Sequence, residues 1–250
     1  MGTDILYKYR SLEKVEGDRV RETFEKSTVY FPLPSQFNDP FDCKIPLLLD
    51  GTEEEWGKYV EEYFEKNRPE LSPADRKIET KRLIQNGSYK KLDPSISTRA
   101  PNRAGVYCLS AVNDDILMWS HYANAHRGIC IGFRAGPDDG FFRRSQQVKY
   151  LLAYPSTRIF DSDEQRSETA FLTKSEHWIY EEEYRIVESQ GPGTYSFPQD
   201  LLVEVILGCE ISDSDRQSVR TWAQAHSARP KILVARKKER EFGLRIEEAL

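Results

Sequence analysis

The amino-acid sequence predicts an α+β fold of two bent, mostly antiparallel sheets with inserted helices. Short runs rich in β-formers interleave with helical stretches in no regular order, and no β-α-β period occurs. No glycine-rich loop of the dinucleotide-binding or phosphate-binding kind follows any of these runs. A chain of 250 residues is long enough to bury one hydrophobic core, so we expect a single domain over residues 1–250.

Strands are predicted where apolar and β-branched residues cluster or alternate. The first, at residues 4–9, alternates along DILYKY, and the second, at residues 28–34, is closed by prolines. The other strands are predicted at 105–111, 128–133, 147–154, 181–189, 202–208 and 230–238.

Helices are predicted where charged stretches carry apolar residues at helical spacing. The longest stretch, residues 53–86, is interpreted as a helical insertion between strands, with one apolar face formed by Trp56, Val60, Tyr63 and Phe64. Two acids precede the apolar residues of segment 114–123, as the positive end of a helix dipole favours. Further helices are predicted at 17–26, 167–180 and 213–226.

Composition and cysteine spacing limit the function classes. The formal net charge of −5 provides no global field that would recruit nucleic acid or an anionic membrane. The cysteines form no C-x-x-C pair and no zinc-ligand spacing with the histidines, so we expect no metal, and cysteines that fill the core in a reducing compartment. No apolar stretch has the length of a signal peptide or a membrane span, which predicts a cytoplasmic protein.

Four sequence blocks carry a family resemblance. They are LYKYRSL at 6–12, FPLPSQFNDPFD at 31–42, LMWSHYANAHRGICIGF at 117–133, and a Trp-x-x-Glu-x-Glu-Tyr-Arg motif that begins at Trp178. In this order they resemble the bacterial family known as domain of unknown function 2971. That family implies no mechanism.

A second resemblance is to ADP-ribosyltransferase-like domains. The chain opens with a strand that ends in Tyr-x-x-Arg-Ser, then a helix, a second strand and an Asn-Asp-Pro turn. The resemblance implies NAD as substrate and an ADP-ribosyltransferase-like architecture. It also implies an arginine or histidine on the first core strand, a serine or tyrosine on a middle strand, and a Glu-x-Glu pair on a late strand. The residues of this chain in that order are Arg10 with Ser11, then Ser110 or the region of His121 and Tyr122, then Glu181 and Glu183.

The chain also departs from the ADP-ribosyltransferase pattern. It lacks the Ser-Thr-Ser triplet of the arginine-type members, so the resemblance does not assign the middle position to one residue. The helical stretch at 53–86 is also larger than a minimal domain of this kind needs.

The Glu181 and Glu183 carboxylates suit cleavage of the bond between nicotinamide and ribose. That reaction passes through an oxocarbenium-like state, whose positive charge a carboxylate stabilises. Residues two apart on a strand share a face, so both acids are expected on one side and Glu182 on the other. Glu183 would be the main stabiliser and Glu181 would assist the acceptor or the ribose. The competing interpretation is an exposed strand edge whose acids pair with Arg185 or another neighbour.

The remaining candidates would hold NAD itself. Arg10 would grip the pyrophosphate or ribose through its planar fork of donors, and Tyr107, His121 or Tyr122 would line the nicotinamide side. The alternatives are a surface arginine at a strand end and a histidine that is hydrogen-bonded beside aromatic rings.

The sequence therefore favours NAD-dependent ADP-ribosyl transfer or NAD glycohydrolysis, which would suit a bacterial toxin or defence system. It does not choose between protein, nucleic acid and water as the acceptor. Two alternatives stay open. One is a non-catalytic module that senses a nucleotide or another ligand, and the other is a metal-dependent phosphodiesterase or nuclease that uses Asp39, Asp42 and the Glu pair.

Overall fold

A computed structural model describes residues 4–91, 103–136 and 140–249. The strands in these ranges are β1 (Ile5–Arg10), β2 (Thr28–Phe31), β3 (Leu47–Leu48), β4 (Gly105–Ser110), β5 (Ile129–Arg134), β6 (Gln146–Gln147), β7 (Lys149–Leu151), β8 (Thr157–Arg158), β9 (Thr173–Ser175), β10 (Glu183–Glu188), β11 (Gly193–Ser196), β12 (Leu202–Leu207), β13 (Lys231–Lys237) and β14 (Leu244–Glu248). The α-helices are α1 (Lys14–Lys26), α2 (Glu53–Asn67), α3 (Pro73–Gln85), α4 (Ile116–Tyr122), α5 (Asp163–Leu172) and α6 (Asp213–Ala225).

One eight-stranded sheet organises these elements, in the order β14-β13-β12-β5-β1-β4-β10-β6. Strands β12 and β13 run parallel, and the other neighbours in the sheet are antiparallel. Three two-stranded ribbons pair β11 with β2, β3 with β8, and β7 with β9. The predicted mixture of helices with mostly antiparallel strands is confirmed. The predicted pair of packed sheets needs correction, because hydrogen bonding through β5, β1 and β4 joins the main strands into one sheet.

Strand β1 lies between β5 and β4 and forms many more backbone pairs with β5 than with β4. It pairs with β5 along its whole length, from Ile5 to Arg10. Against β4, only the pair between Tyr7 and Ser110 is formed. Strand β4 in turn pairs with β10 along its whole length. The strands β1 and β4 therefore diverge from the Tyr7–Ser110 pair, and a gap opens between them.

Both faces of the sheet carry buried apolar side chains. Alternation along β5 places Ile129, Ile131 and Phe133 in the cluster that includes residues of α1 and α6. It places Cys130 on the opposite face, in the cluster with Trp119 of α4. Burial of each such large apolar side chain contributes roughly 1.5–3 kcal/mol. All four cysteines are free, and each is buried or partly buried, as the core interpretation expects.

Several helices begin at residues whose side chains accept backbone hydrogen bonds. Thr52 begins α2 with a capping box, and Ser72 caps α3. These two helices occupy most of the segment 53–86 that the sequence predicts to be helical. The predicted apolar face is buried at Trp56, Val60 and Phe64 and half-buried at Tyr63. No helix in the described ranges combines the length and the apolar character needed to cross a bilayer.

The helix predicted at 167–180 is shorter than expected at its carboxyl end. Helix α5 ends at Leu172, and Thr173 already has extended backbone. Strand β9 and a 3-10 helix, Glu176–Glu181, take up the rest of the segment. β9 pairs with β7, so tertiary pairing overrides the helical pattern at Thr173, whose β-branched side chain also favours a strand.

The turn from α4 to β5 is tightly constrained. Asn124, Ala125 and His126 have φ angles of 48, 50 and 66°, in the left-handed region that side chains disfavour. A Cβ atom at Gly128 would lie 2.1 Å from the carbonyl oxygen of Arg10, so the backbone approach requires glycine there. The turn therefore packs directly against the end of β1 and brings α4 beside the gap.

Candidate functional site

A cavity of about 500 Å³ lies in the gap between β1 and β4. This volume is within the range of roughly 300–1,000 Å³ that is usual for small-molecule sites. Residues from β1, β4, α1 and α4 form its walls, and β9 and β10 contribute to one end. The sequence-predicted site residues on its wall are Arg10, Ser11, Ser110, His121, Tyr122, Glu181 and Glu183.

Tyr107 is not brought to this wall. Its ring is buried in the core and stacks on Phe31 at a centroid distance of 5.2 Å. Val106 and Cys108, whose side chains leave the opposite face of β4, line the cavity instead. Burial raises the pKa of the Tyr107 hydroxyl, and the positive charge of the nearby Arg10 guanidinium offsets this only in part.

The acidic end of the cavity is built around a buried guanidinium. Arg185 of β10 is fully buried, and its Nη1 and Nη2 atoms donate to the two carboxylate oxygens of Asp42 at 2.9 and 2.7 Å. Its Nε and Nη2 atoms donate to the two oxygens of Glu183 at 2.7 and 2.9 Å. One arginine therefore fixes two carboxylates from distant parts of the chain in bidentate geometry.

Lys174 of β9 completes this arrangement. Its Nζ atom contacts the Glu181 carboxylate and lies 3.0 Å from Glu183 and 3.9 Å from Asp42. The Lys174 side chain is 6% exposed, and the three carboxylates are also buried. Three carboxylates thus face two cations. We call the five residues Asp42, Lys174, Glu181, Glu183 and Arg185 the buried ion cluster.

Glu182 has left-handed backbone geometry, and this turn orients the side chains of Glu181 and Glu183 toward Lys174. The expected strand alternation needs correction, because Glu181 ends a 3-10 helix and β10 begins only at Glu183. Between them, Glu182 has a φ angle of 41° and an exposed side chain. The turn, rather than the pleat, directs both flanking carboxylates into the cluster. The expected pairing with Arg185 is observed for Glu183, but at a buried site instead of an exposed edge.

Glu181 is also held from the α4 side of the cavity. The Tyr122 hydroxyl donates to its Oε1 atom at 2.6 Å. The Ser110 hydroxyl donates to its backbone carbonyl oxygen at 2.6 Å, which fixes the main chain at the same point. Two of the sequence-predicted residues therefore act by positioning a third.

The pKa values of the two glutamates shift in opposite directions. Burial raises the pKa of Glu181, and the Lys174 ammonium only partly offsets this effect. Burial acts in the same direction on Glu183, but the Arg185 guanidinium and Lys174 outweigh it and hold the pKa of Glu183 well below its usual range. Glu183 is therefore ionised at neutral pH, and Glu181 is the more basic of the two.

The opposite end of the cavity is cationic. The guanidinium of Arg10 lies 3.4 Å from the carboxylate of Glu16 on α1. The Nζ atom of Lys8 donates to the backbone carbonyl of Cys108 at 2.6 Å, across the gap between β1 and β4. Arg19 follows Glu16 by three residues, so the two lie on one face of α1. The cavity is therefore positive near β1 and α1, and acidic near β10.

Ser11 and His121 lie nearer the surface. The Ser11 hydroxyl accepts a hydrogen bond from the Glu13 amide at 3.1 Å and shapes the turn before α1. His121 is exposed, and its ring lies 6.4 and 6.5 Å from the rings of Trp178 and Tyr180. His121 is therefore a residue of the cavity mouth rather than of the core.

The residues predicted from the sequence did not include Lys8, Arg19 or Lys174. Lys8 could have been found from the sequence, since the strand period places it on the same face as the candidate Arg10. No such pattern marks Lys174, because it lies in a segment with a helical pattern and its carboxylate partners come from other elements.

Three of the four acids considered as metal ligands already have cationic partners. Asp42 and Glu183 share Arg185, so a divalent ion would have to displace a buried guanidinium. In the part of the chain that the structure describes, no group of three or more His, Cys, Asp or Glu side chains is placed to hold a metal. Asp39 instead accepts the Phe41 amide at 2.8 Å and forms the turn before the cluster.

Residues 118–186 match the model of a family described as protein of unknown function (DUF2971). The DUF2971 resemblance is confirmed. The DUF2971 segment runs from α4 into β10 and includes His121, Lys174 and the Glu pair, whereas Lys8 and Arg10 precede it. No curated protein and no solved structure matches the chain.

Proposed function

We propose that this DUF2971 protein cleaves NAD and either transfers the ADP-ribosyl group to an acceptor or hydrolyses NAD. The observation that supports the proposal is that Arg10 and the two acids Glu181 and Glu183 line one cavity. Groups that are distant in sequence thereby meet around a space of suitable size for a small ligand. The arrangement is consistent with an ADP-ribosyltransferase-like site at the gap between β1 and β4.

The charge distribution of the cavity supports this chemistry. NAD has an anionic diphosphate and a cationic nicotinamide ring, and the cavity has a cationic end near Arg10 and an acidic end near Glu183. Bound in this orientation, the diphosphate would contact the Arg10 guanidinium through paired hydrogen bonds. The ribose–nicotinamide bond would then lie toward the acidic end.

Glu183 is suited to stabilise the transition state. Loss of nicotinamide leaves positive charge on the ribose, and Glu183 is ionised at neutral pH because Arg185 and Lys174 hold its pKa low. The buried ion cluster has three acids and two cations, an excess of one negative charge. One unit charge about 4 Å from an opposite charge contributes about 4 kcal/mol at an effective dielectric constant of about 20.

Glu181 is suited to act on the acceptor. Its raised pKa makes it the better proton acceptor of the pair, and the Tyr122 hydroxyl holds its Oε1 atom in place. It would take the proton from an attacking hydroxyl, amine or water as the new bond to the ribose forms.

The test is release of nicotinamide from NAD, measured with no acceptor, with a protein pool and with a nucleic-acid pool. We expect the wild type to release nicotinamide and Glu183→Gln to lose at least about 100-fold in rate, as removal of one transition-state contact commonly costs. Glu182→Gln is the matched control, because the same substitution is made one residue away at an exposed side chain. A wild type that neither binds NAD in calorimetry nor releases nicotinamide with any pool would refute the proposal.

A second candidate is a module that binds a nucleotide without turning it over. Glu183 forms ion pairs with both Arg185 and Lys174. A carboxylate held in this way can serve to stabilise the fold rather than to react, which favours the non-catalytic candidate. This candidate predicts NAD or ADP binding that survives in Glu183→Gln, with no nicotinamide released by the wild type. Binding in calorimetry and release in the activity assay together separate the two functions.

A further inference from the structure

Three cations line the end of the cavity near β1 and α1, and only one of them has a carboxylate partner. Arg10 lies 3.4 Å from Glu16. Within the described residues, neither Lys8 nor Arg19 has a carboxylate within 4.0 Å. This end of the cavity therefore holds an excess of positive charge that the protein itself leaves uncompensated.

The Lys8 ammonium group lies in a buried environment that disfavours its charged form. Its Nζ atom donates to the Cys108 carbonyl at 2.6 Å and lies 5.1 Å from the centroid of the buried Tyr107 ring. Burial, together with the neighbouring Arg10, lowers the pKa of Lys8 to about 8, and Glu16 offsets this only in part. An unpaired ammonium in such a place is stabilised by an anion that enters the cavity.

Arg19 presents a flat cationic surface at the same end. Its guanidinium carbon lies 3.6 Å from the centroid of the Tyr30 ring, so the group is stacked and oriented before any ligand binds. A guanidinium in this position offers its in-plane N–H donors to an oxyanion, and holding it in advance reduces the rotamer entropy lost on binding.

We propose that Lys8 and Arg19, together with Arg10, form a subsite for the diphosphate group of a nucleotide. The two uncompensated cations match a group that carries negative charge on each of two phosphates. The identity of that nucleotide as NAD rests on the proposed function, whereas the diphosphate subsite itself does not require NAD cleavage.

The cavity would then have two chemically different parts. The diphosphate would lie against Lys8, Arg10 and Arg19, and the remainder of the ligand would extend toward Glu181. Neutral nucleosides would lack the contacts at the cationic end. The cavity is therefore expected to select nucleoside diphosphates and their esters over nucleosides.

The direct test is calorimetric titration with inorganic pyrophosphate, ADP and adenosine at one fixed ionic strength. We expect ADP to bind at least 10-fold more tightly than adenosine, about 1.4 kcal/mol, and pyrophosphate to bind measurably. The affinity of ADP should also fall as salt is raised, because the contacts are ionic. Equal affinity for ADP and adenosine, or no binding of ADP and pyrophosphate, would overturn the subsite.

Two variants and two matched controls assign the effect to named side chains. Lys8→Met and Arg19→Gln should each weaken ADP binding by about 10-fold or more, the usual cost of losing a hydrogen bond to a charged group. Lys149→Met and Arg21→Gln remove exposed cations that pair with Glu168 and Glu25 outside the cavity, and they should leave ADP affinity unchanged. Circular dichroism checks the fold of each variant. If Lys8→Met does not fold, Arg19→Gln, which changes a partly exposed helix residue, carries the test.

The result is distinguishable from failure of the proposed function. ADP binding that depends on Lys8 and Arg19, without nicotinamide release by the wild type, supports the subsite and refutes NAD cleavage. NAD cleavage whose KM is unchanged in Lys8→Met and Arg19→Gln supports the proposed function and overturns the subsite.

Discussion

Removal of the Lys174 charge provides a quantitative test of the buried ion cluster. In the Lys174→Met variant, Asp42, Glu181 and Glu183 would face Arg185 as their one remaining cation in the cluster. Methionine keeps most of the aliphatic volume, so the cost arises from charge rather than from a cavity. Because the Lys174 side chain is 6% exposed, we take the cost of breaking a buried pair, about 3–5 kcal/mol. For a chain of this length this corresponds to a fall in Tm of about 6–20 °C.

The assay is urea unfolding followed by circular dichroism, with Lys149→Met as the control. The Lys149 side chain is 65% exposed and pairs with Glu168, so its loss should cost about 0–1 kcal/mol. Adding Glu181→Gln to Lys174→Met should recover part of the loss, because it removes one of the uncompensated acids. A Lys174→Met variant that is no less stable than the control would contradict this role of Lys174, as would a further loss of stability on adding Glu181→Gln.

Three further outcomes are expected. First, since the pKa of Lys8 is about 8, its ammonium deprotonates as pH rises through that value, so ADP affinity in calorimetry should fall above about pH 8 in the wild type. A similar fall in Lys8→Met would exclude Lys8 as the titrating group. Second, the folded-state pKa of Glu183 lies below its ordinary value of 4.5, so Glu183 stabilises the fold above that pH and the contribution is lost as pH falls below it. The decline of Tm on acidification should be shallower in Glu183→Gln, and an unchanged slope would contradict this assignment. Third, Phe31→Ala should lower the unfolding free energy in urea by about 3–5 kcal/mol, because Phe31 is fully buried against Tyr107. A loss below about 1 kcal/mol would show that the core repacks there.

The sequence predicts the main strands well where local pattern and tertiary environment agree. β1, β4, β5, β12 and β13 each lie within a residue or two of a predicted strand, because the same apolar residues that favour extended backbone also fill the core. β11 and β14 were not predicted. Their residues, such as Thr194, Ser196 and Arg245, are mostly polar, and pairing with a neighbouring strand determines their conformation.

The candidate site could be predicted only in part. Arg10 and the Glu pair are adjacent to recognisable motifs, and the structure places them on one cavity. The partners that set the chemistry of the acids could not be inferred, because Asp42 and Arg185 are joined across 143 positions of the chain. The geometry of Glu181 depended on the left-handed backbone of Glu182, a local exception to the strand period that periodicity cannot reveal.

The single backbone pairing between β1 and β4 has a consequence for how the sheet deforms. Five strands on the β1 side and three on the β4 side form two continuous ladders that meet at Tyr7 and Ser110. A rotation of one ladder against the other would change the width of the gap between β1 and β4. The hydrogen bonds within each ladder would remain intact. Because one residue pair holds this junction, we expect differences in ligand size to be accommodated there before any strand shifts its register.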